Sequence, residues 1–400
     1  MDDIGAEEGC SWLGHIYNLQ GYIYFQLGFT DDARLFFSKC AEAFRQIRNA
    51  ISDEGPWLLV NYGNQAWLHH LLGEQTKSQD YLSKVDALVN NYPSMSPHEL
   101  HPEIYAEKAW TLMHFGKMLP AGDCFQRAIR MQPDIVEWHT SCAIASAIAS
   151  KRQDKVLEEN ILEKMRVAKQ HDPENLYLAA VYLDACAKKG ERIKDEVHLL
   201  GRKVLIKPAS KYSGIKPILR LYREHVSMDE AIDLAEEALG RHPDNRYLKE
   251  CAAICYSQKI IWDRNHPMDP GRISRAINLC NEVIALYPHS SFKRKLTLAK
   301  LYADLDRKDE AEQIYKELLE SELDPEGFQM CYNHYALYAN YVLKDSYKSI
   351  EYHMKAAEIP NKSTYRENSL QILKKIKERN RNRMCGEIET FLMRLHDYEY

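Results

Sequence analysis

Proline recurs in this chain at a nearly constant interval. Pro133, Pro173, Pro208, Pro243, Pro288, Pro325 and Pro360 each follow a helix-compatible run, at gaps of 40, 35, 35, 45, 37 and 35 residues. A proline cannot continue a helix, so each one stops a helical hairpin and opens the next. No stretch alternates for long at period two, so no sheet is predicted. The chain therefore reads as an array of helix pairs in which each pair buries its apolar face only against its neighbours.

The small and aromatic residues between the prolines sharpen this. In "EKAWTLMHFGKMLPAGDCFQRAIRMQP", Ala109, Gly116, Ala121, Phe125, Ala128 and Pro133 keep the offsets of the tetratricopeptide repeat, whose period is about 34 residues. Small residues let paired helices approach, and the aromatic plugs the gap to the next pair. "GYIYFQLGFTDDARLFF" repeats the pattern with Gly21, Tyr24, Gly28, Ala33 and Phe37. "LRLYREHVSMDEAIDLAEEALGRHP" does so with Tyr222, Ala231, Ala235 and Ala238, and "LAKLYADLDRKDEAEQIYKELL" with Ala299, Tyr302, Ala311 and Tyr315. With weaker units at 58–85, 176–206, 247–288 and 331–360, the count is about eight helix pairs. The expected architecture is an all-α tetratricopeptide-repeat superhelix, one solenoid over 1–400 with possible hinges near 90–104 and 262–272. The first helix of each pair should line its concave face, the default binding surface of such an array.

Composition excludes several classes. Charged residues are 28% and hydrophobic ones 45%, as in folded globular proteins. The apolar run at 141–150 is about half the length needed to cross a bilayer, and the acidic start has no secretory n- or h-region. The ten cysteines are scattered without a Cys-x-x-Cys pair, which predicts reduced thiols and a cytoplasmic location. No Gly-rich phosphate loop, Gly-x-Ser-x-Gly or His-Glu-x-x-His occurs. "HELHPE" at 98–103 gathers two His and two Glu, but no second ligand pair stands at a fixed offset, and the adjacent His69 and His70 make a poor chelate. The reading is a non-enzyme without metal, cofactor or small-molecule substrate.

One segment departs from a net charge of −5. From Arg202 to Arg223 there are seven Lys or Arg, at 202, 203, 207, 211, 216, 220 and 223, and no Asp or Glu. A helix places Lys216, Arg220 and Arg223 on one face, with Ile215, Ile218, Leu219 and Tyr222 mostly on the other. Two readings stay open. The face is solvated and paired with carboxylates of a neighbouring repeat, such as Glu196 or Glu250. Alternatively it meets a polyanion, with Tyr212 and Tyr247 offering stacking or sugar contacts to single-stranded RNA, although an isolated tyrosine at a repeat position more often serves packing. A second basic run, "KKIKERNRNRMC" at 374–385, is expected on a long C-terminal helix, and "FKRK" at 292–295 adds a smaller patch.

The stretches "YNLQGYIYFQLG", "NYGNQAWLHHLLGEQTKSQDYLSKV", "AEKAWTLMHFG" and "LAKLYADLDRKDEAEQIY" resemble, in order and over almost the whole chain, the interferon-induced proteins with tetratricopeptide repeats. That resemblance implies a cytoplasmic antiviral effector of innate immunity. Such a protein holds single-stranded viral RNA by its 5′ end, triphosphate or capped, in a basic tunnel, and associates with homologous repeat proteins. It implies that Lys216, Arg220 and Arg223 contact phosphate, that Tyr247 lines the tunnel, and that Lys375 matches a basic groove position. The family's triphosphate lysine is replaced here by His114. The arginine of the next helix is replaced by Ile148, with Lys151 and Arg152 nearby, and a tyrosine beside the basic helix by Pro217. The family's further hairpins upstream and downstream have no counterpart, so the chain reads as shortened at both ends. The losses at His114 and Ile148 favour the alternative, a protein–protein scaffold without specific RNA binding.

Overall fold

The computed structural model describes residues 12–47, 54–94, 98–152, 159–210, 212–262, 270–288 and 291–398. Among them are twenty α-helices and no strand. The chain forms an all-α tetratricopeptide-repeat array. It divides into two compact units, Met1–Cys251 and Ala252–Tyr400. Of the two predicted hinge segments, residues 95–97 and 263–269 lie outside the described residues.

The first unit holds α1 (Leu13–Gln26), α2 (Thr30–Ile47), α3 (Leu59–Leu71), α4 (Gln75–Asn91), α5 (Pro102–His114) and α6 (Met118–Met131). These are followed by α7 (Val136–Arg152), α8 (Glu159–His171), α9 (Leu176–Lys188), α10 (Lys194–Ile206), α11 (Ile215–Leu221) and α12 (Met228–Arg241). The helix α13 (Arg246–Trp262) begins in this unit and continues into the second. The second unit then runs through α14 (Pro270–Leu286), α15 (Phe292–Asp304), α16 (Lys308–Leu319), α17 (Pro325–Tyr338), α18 (Ser346–Glu358), α19 (Thr364–Arg379) and α20 (Cys385–Tyr398).

The repeat offsets act as predicted. A Cβ on Gly14 or Gly21 of α1 would stand 2.5 or 2.6 Å from the Phe44 or Phe37 ring of α2, so only glycine permits this approach. In the third pair Ala109, Trp110, Ala121, Phe125 and Ala128 are all buried. Fully burying one such large apolar side chain contributes about 1.5–3 kcal/mol. The turn between α5 and α6 is closed by Gly116 at φ +77, a left-handed conformation that costs other residues energy.

Six of the seven periodic prolines fall in the connections between helices, and the seventh opens one. Pro325 stands at the first position of α17, where its missing N–H is not needed, and Asp324 caps that helix by accepting from the Gly327 N–H at 2.7 Å. The second unit uses tyrosine as its plug. Tyr315 meets Tyr335 and Tyr338 at ring distances of 5.2 and 5.0 Å, and Tyr335 Oη donates to Glu312 Oε1 at 2.7 Å. A buried tyrosine thus keeps a partner for its polar tip.

The twenty helices make ten pairs, two more than the sequence pattern gives. The pair α7/α8 escapes that pattern because α7 mixes small apolar residues with serine and threonine around the helix, which leaves no segregated apolar stripe to mark the period. The second additional pair is α19/α20. The basic run at 374–385 is not one long helix, since α19 ends where Asn380 takes φ +46, and Arg381 and Arg383 fall in the turn before α20. Nine cysteines are free among the described residues, and seven of them are buried. No described helix is long and apolar enough to cross a membrane.

Candidate functional site

The first unit encloses a cavity of about 390 Å³. Its wall comes from first helices of successive pairs: His114 at the end of α5, Ile144 and Ile148 on α7, Tyr177 and Asp184 on α9, Pro217 and Arg220 on α11. That is the face expected of a repeat array.

The cavity is aromatic. Trp12, just before α1, meets Tyr212 edge-on at 4.6 Å and Tyr177 at 6.4 Å, and its Nε1 donates to Ser141 Oγ on α7 at 3.0 Å. Trp110 stacks on His114 at 5.6 Å, and His114 Nδ1 lies 3.3 Å from Tyr212 Oη. His15 also stacks on Trp110, at 5.8 Å.

His15 is 2% exposed, yet both its ring nitrogens meet carboxylates: Nδ1 that of Glu107 on α5, Nε2 that of Glu137 on α7 at 3.0 Å. Burial alone would lower its pKa. The two carboxylates outweigh burial and raise it to about 10, so the ring is an imidazolium tying three helices together behind the cavity.

The polar end of the cavity is an ion-pair cluster. Asp184 is 5% exposed. Arg220 Nη2 lies 3.2 Å and Lys188 Nζ 3.4 Å from the same oxygen, Asp184 Oδ2. Arg220 Nε also approaches Glu224 at 3.9 Å. A carboxylate this buried is tolerated because cations surround it.

The backbone before α11 is built for close approach. Gly214 caps the helix at φ +90, and a Cβ there would meet the Leu176 backbone at 3.0 Å. Pro217 occupies the first turn of α11, as predicted. The even spacing of the cation row holds for Lys216 and Arg220. From Tyr222 to Val226 the helix widens into a π turn, so Arg223 follows that wider register.

The sequence-predicted residues separate into groups. His114 and Arg220 line the cavity. Lys216 stands beside it, half-exposed, with Glu250 at 3.7 Å, the carboxylate that the solvated-face reading names. Arg223 is partly exposed one turn on. Tyr247 is 5% exposed and burial raises its pKa, so its ring is a support 5.9 Å beneath Lys216 Nζ rather than an open stacking platform. Lys375 is exposed on α19 of the second unit. The Lys151 and Arg152 side chains and Lys211 lie outside the described residues.

Sequence reasoning missed Trp12, Tyr177 and Asp184. Asp184 had a visible signal: it is the lone acid in "LYLAAVYLDACAK", an otherwise apolar helix. Trp12 had none, because its partner Ser141 is 129 residues away.

Tetratricopeptide-repeat families match residues 14–46 and 268–330. Interferon-induced protein with tetratricopeptide repeats 2 of Homo sapiens is 26% identical over 92% of this chain and 77% of its own length. Antiviral innate immune response effector IFIT1 of Homo sapiens is 23% identical over 94% of this chain and 81% of its own. The chain resembles the interferon-induced tetratricopeptide-repeat proteins along almost its whole length. Solved structures agree on the fold. The human IFIT1 dimer with PPP-AAAA matches with a TM-score of 0.71 and 22% identity, over 96% of this chain and 86% of that one. The monomeric IFIT1 mutant with Gppp-AAAA matches with a TM-score of 0.72 and 21% identity, over 96% and 90%. The fold of the interferon-induced tetratricopeptide-repeat proteins therefore extends to this chain.

Proposed function

We propose that this chain binds single-stranded RNA, with one end of the strand in the aromatic cavity and its phosphates along Lys216, Arg220 and Arg223. It acts by binding, not catalysis, as a cytoplasmic antiviral effector. The observation that carries the reading is the position of Arg220, which belongs both to the wall of the cavity and to the cation row of α11. Aromatic faces accept bases without regard to sequence, and cations beside them accept phosphates. The relatives support it: one is named an antiviral effector, and related solved structures are described with PPP-AAAA and Gppp-AAAA.

The test is a gel shift with a short single-stranded RNA at two salt concentrations. Binding at low salt that falls steeply at high salt is expected, because cations that meet phosphates release condensed counterions. Replacing Lys216, Arg220 and Arg223 by Glu removes the shift while helical content is retained.

A second reading, a protein–protein scaffold, is favoured by one observation. The turns within the first three pairs expose Leu27, Phe29, Leu71, Phe115 and Leu119, each at least half exposed. Repeated apolar exposure of this kind marks association surfaces. The same gel shift separates the readings: a scaffold gives no shift at low salt.

A further inference from the structure

We propose that Asp184 is a specificity determinant of the cavity, tilting it toward an RNA 5′ end that bears a hydroxyl and away from one that bears a triphosphate. The inference rests on the reading of this cavity as the seat of an RNA end.

The argument is one of charge and shape. A terminal triphosphate needs more positive charge than a single phosphate within the strand, and among the described residues the two Lys or Arg side chains that line the cavity, Arg220 and Lys188, already share one buried oxygen, Asp184 Oδ2, at 3.2 and 3.4 Å. Glu224 stands 3.9 Å from the Arg220 Nε, so the two cations face two carboxylates and the cluster is neutral in sum. A triphosphate entering here must share these cations with Asp184, whose hold on them in a low-dielectric wall is stronger than it would be in water. Asp184 is fixed in place by burial, 5% exposed on the inner face of α9, and cannot swing aside.

The rest of the wall suits a ring. Tyr177 and Tyr212, both partly exposed, supply aromatic surface backed by the buried Trp12, while Ile148 and Pro217 are apolar. His114 contributes a ring nitrogen 3.3 Å from Tyr212 Oη. Such a wall stacks a terminal nucleoside and offers it a few hydrogen bonds. Phosphates further along the strand meet Lys216, which lies outside the cavity and 3.7 Å from the partly exposed Glu250.

The experiment measures fluorescence anisotropy of one short RNA prepared with a 5′-hydroxyl and with a 5′-triphosphate, on the full chain and on Asp184→Asn. The wild type binds the hydroxyl RNA at least as tightly as the triphosphate RNA. Asp184→Asn raises the ratio of triphosphate to hydroxyl affinity about tenfold, equivalent to about 1.4 kcal/mol. Lys188→Ala, at a half-exposed position that threatens folding less, shifts the ratio the opposite way by removing a cation and leaving the carboxylate. A wild type that prefers the triphosphate tenfold, or a ratio unmoved in both variants, overturns the inference while leaving RNA binding intact. Failure of both RNAs to bind the wild type at low salt overturns the RNA reading and the inference together.

Discussion

Arg220 Nη2 sits 3.2 Å from Asp184 Oδ2, joining α11 to α9 across the wall of the cavity. The pair sets both the shape of the wall and its charge, because Asp184 is buried while Arg220 keeps about a third of its side chain exposed. A double-mutant cycle with Arg220→Ala and Asp184→Ala, followed by urea unfolding, is expected to give a coupling of about 1–2 kcal/mol. Arg220→Ala alone costs more than a surface ion pair would, since it leaves the carboxylate with less compensation. Additive single changes would place the stabilisation elsewhere.

His15 tests the back of the cavity. His15→Ala strands the Glu107 and Glu137 carboxylates and is expected to cost about 3–5 kcal/mol in thermal or urea unfolding. The pH dependence has a definite sign. The folded pKa of about 10 lies above the unfolded value of 6.5, so the stabilisation is full below pH 6.5 and is lost as pH rises toward 10. The wild type should lose stability over that alkaline window, and the His15 variant should lose less.

His353 predicts the opposite trend in the second unit. It is buried at the Ser369 hydroxyl, its Nδ1 3.1 Å from Oγ, and burial lowers its pKa to about 4. Its folded pKa lies below the unfolded value of 6.5, so stability is present above 6.5 and is lost as pH falls toward 4. Hydrogen exchange in the second unit should accelerate over that acid window, and His353→Gln should flatten the dependence.

The glycines of α1 predict steric cost. Gly14→Ala puts a Cβ 2.5 Å from the Phe44 ring and should destabilise the first unit by about 1–3 kcal/mol in urea unfolding. Pairing it with Phe44→Leu should recover part of the loss.

The fold was legible wherever local chemistry decides it. Proline spacing located the hairpins, and the Gly21–Phe37 contact is what the repeat offsets require. It was illegible at α7, where small apolar residues and serines mixed around the helix blur the helical period, and at Asn380, whose left-handed backbone breaks a run that reads as continuous helix. The candidate site was half legible. Charge spacing found Lys216 and Arg220 and offered Glu250 as a partner, but it did not reveal Asp184, which compensates Arg220 from another helix. Tyr247 takes the packing role that an isolated tyrosine at a repeat position more often has, since its ring is buried.

The central claim is that cations on α11 hold the phosphates of a single strand, and the dependence of RNA affinity on salt tests it most directly. For the wild type, log affinity should fall linearly with log salt. Replacing Lys216, Arg220 and Arg223 by Ala should reduce the steepness by about 2, at about 0.7 for each phosphate of a single strand that is no longer neutralised. An unchanged slope in the triple variant, with affinity intact, would contradict the account.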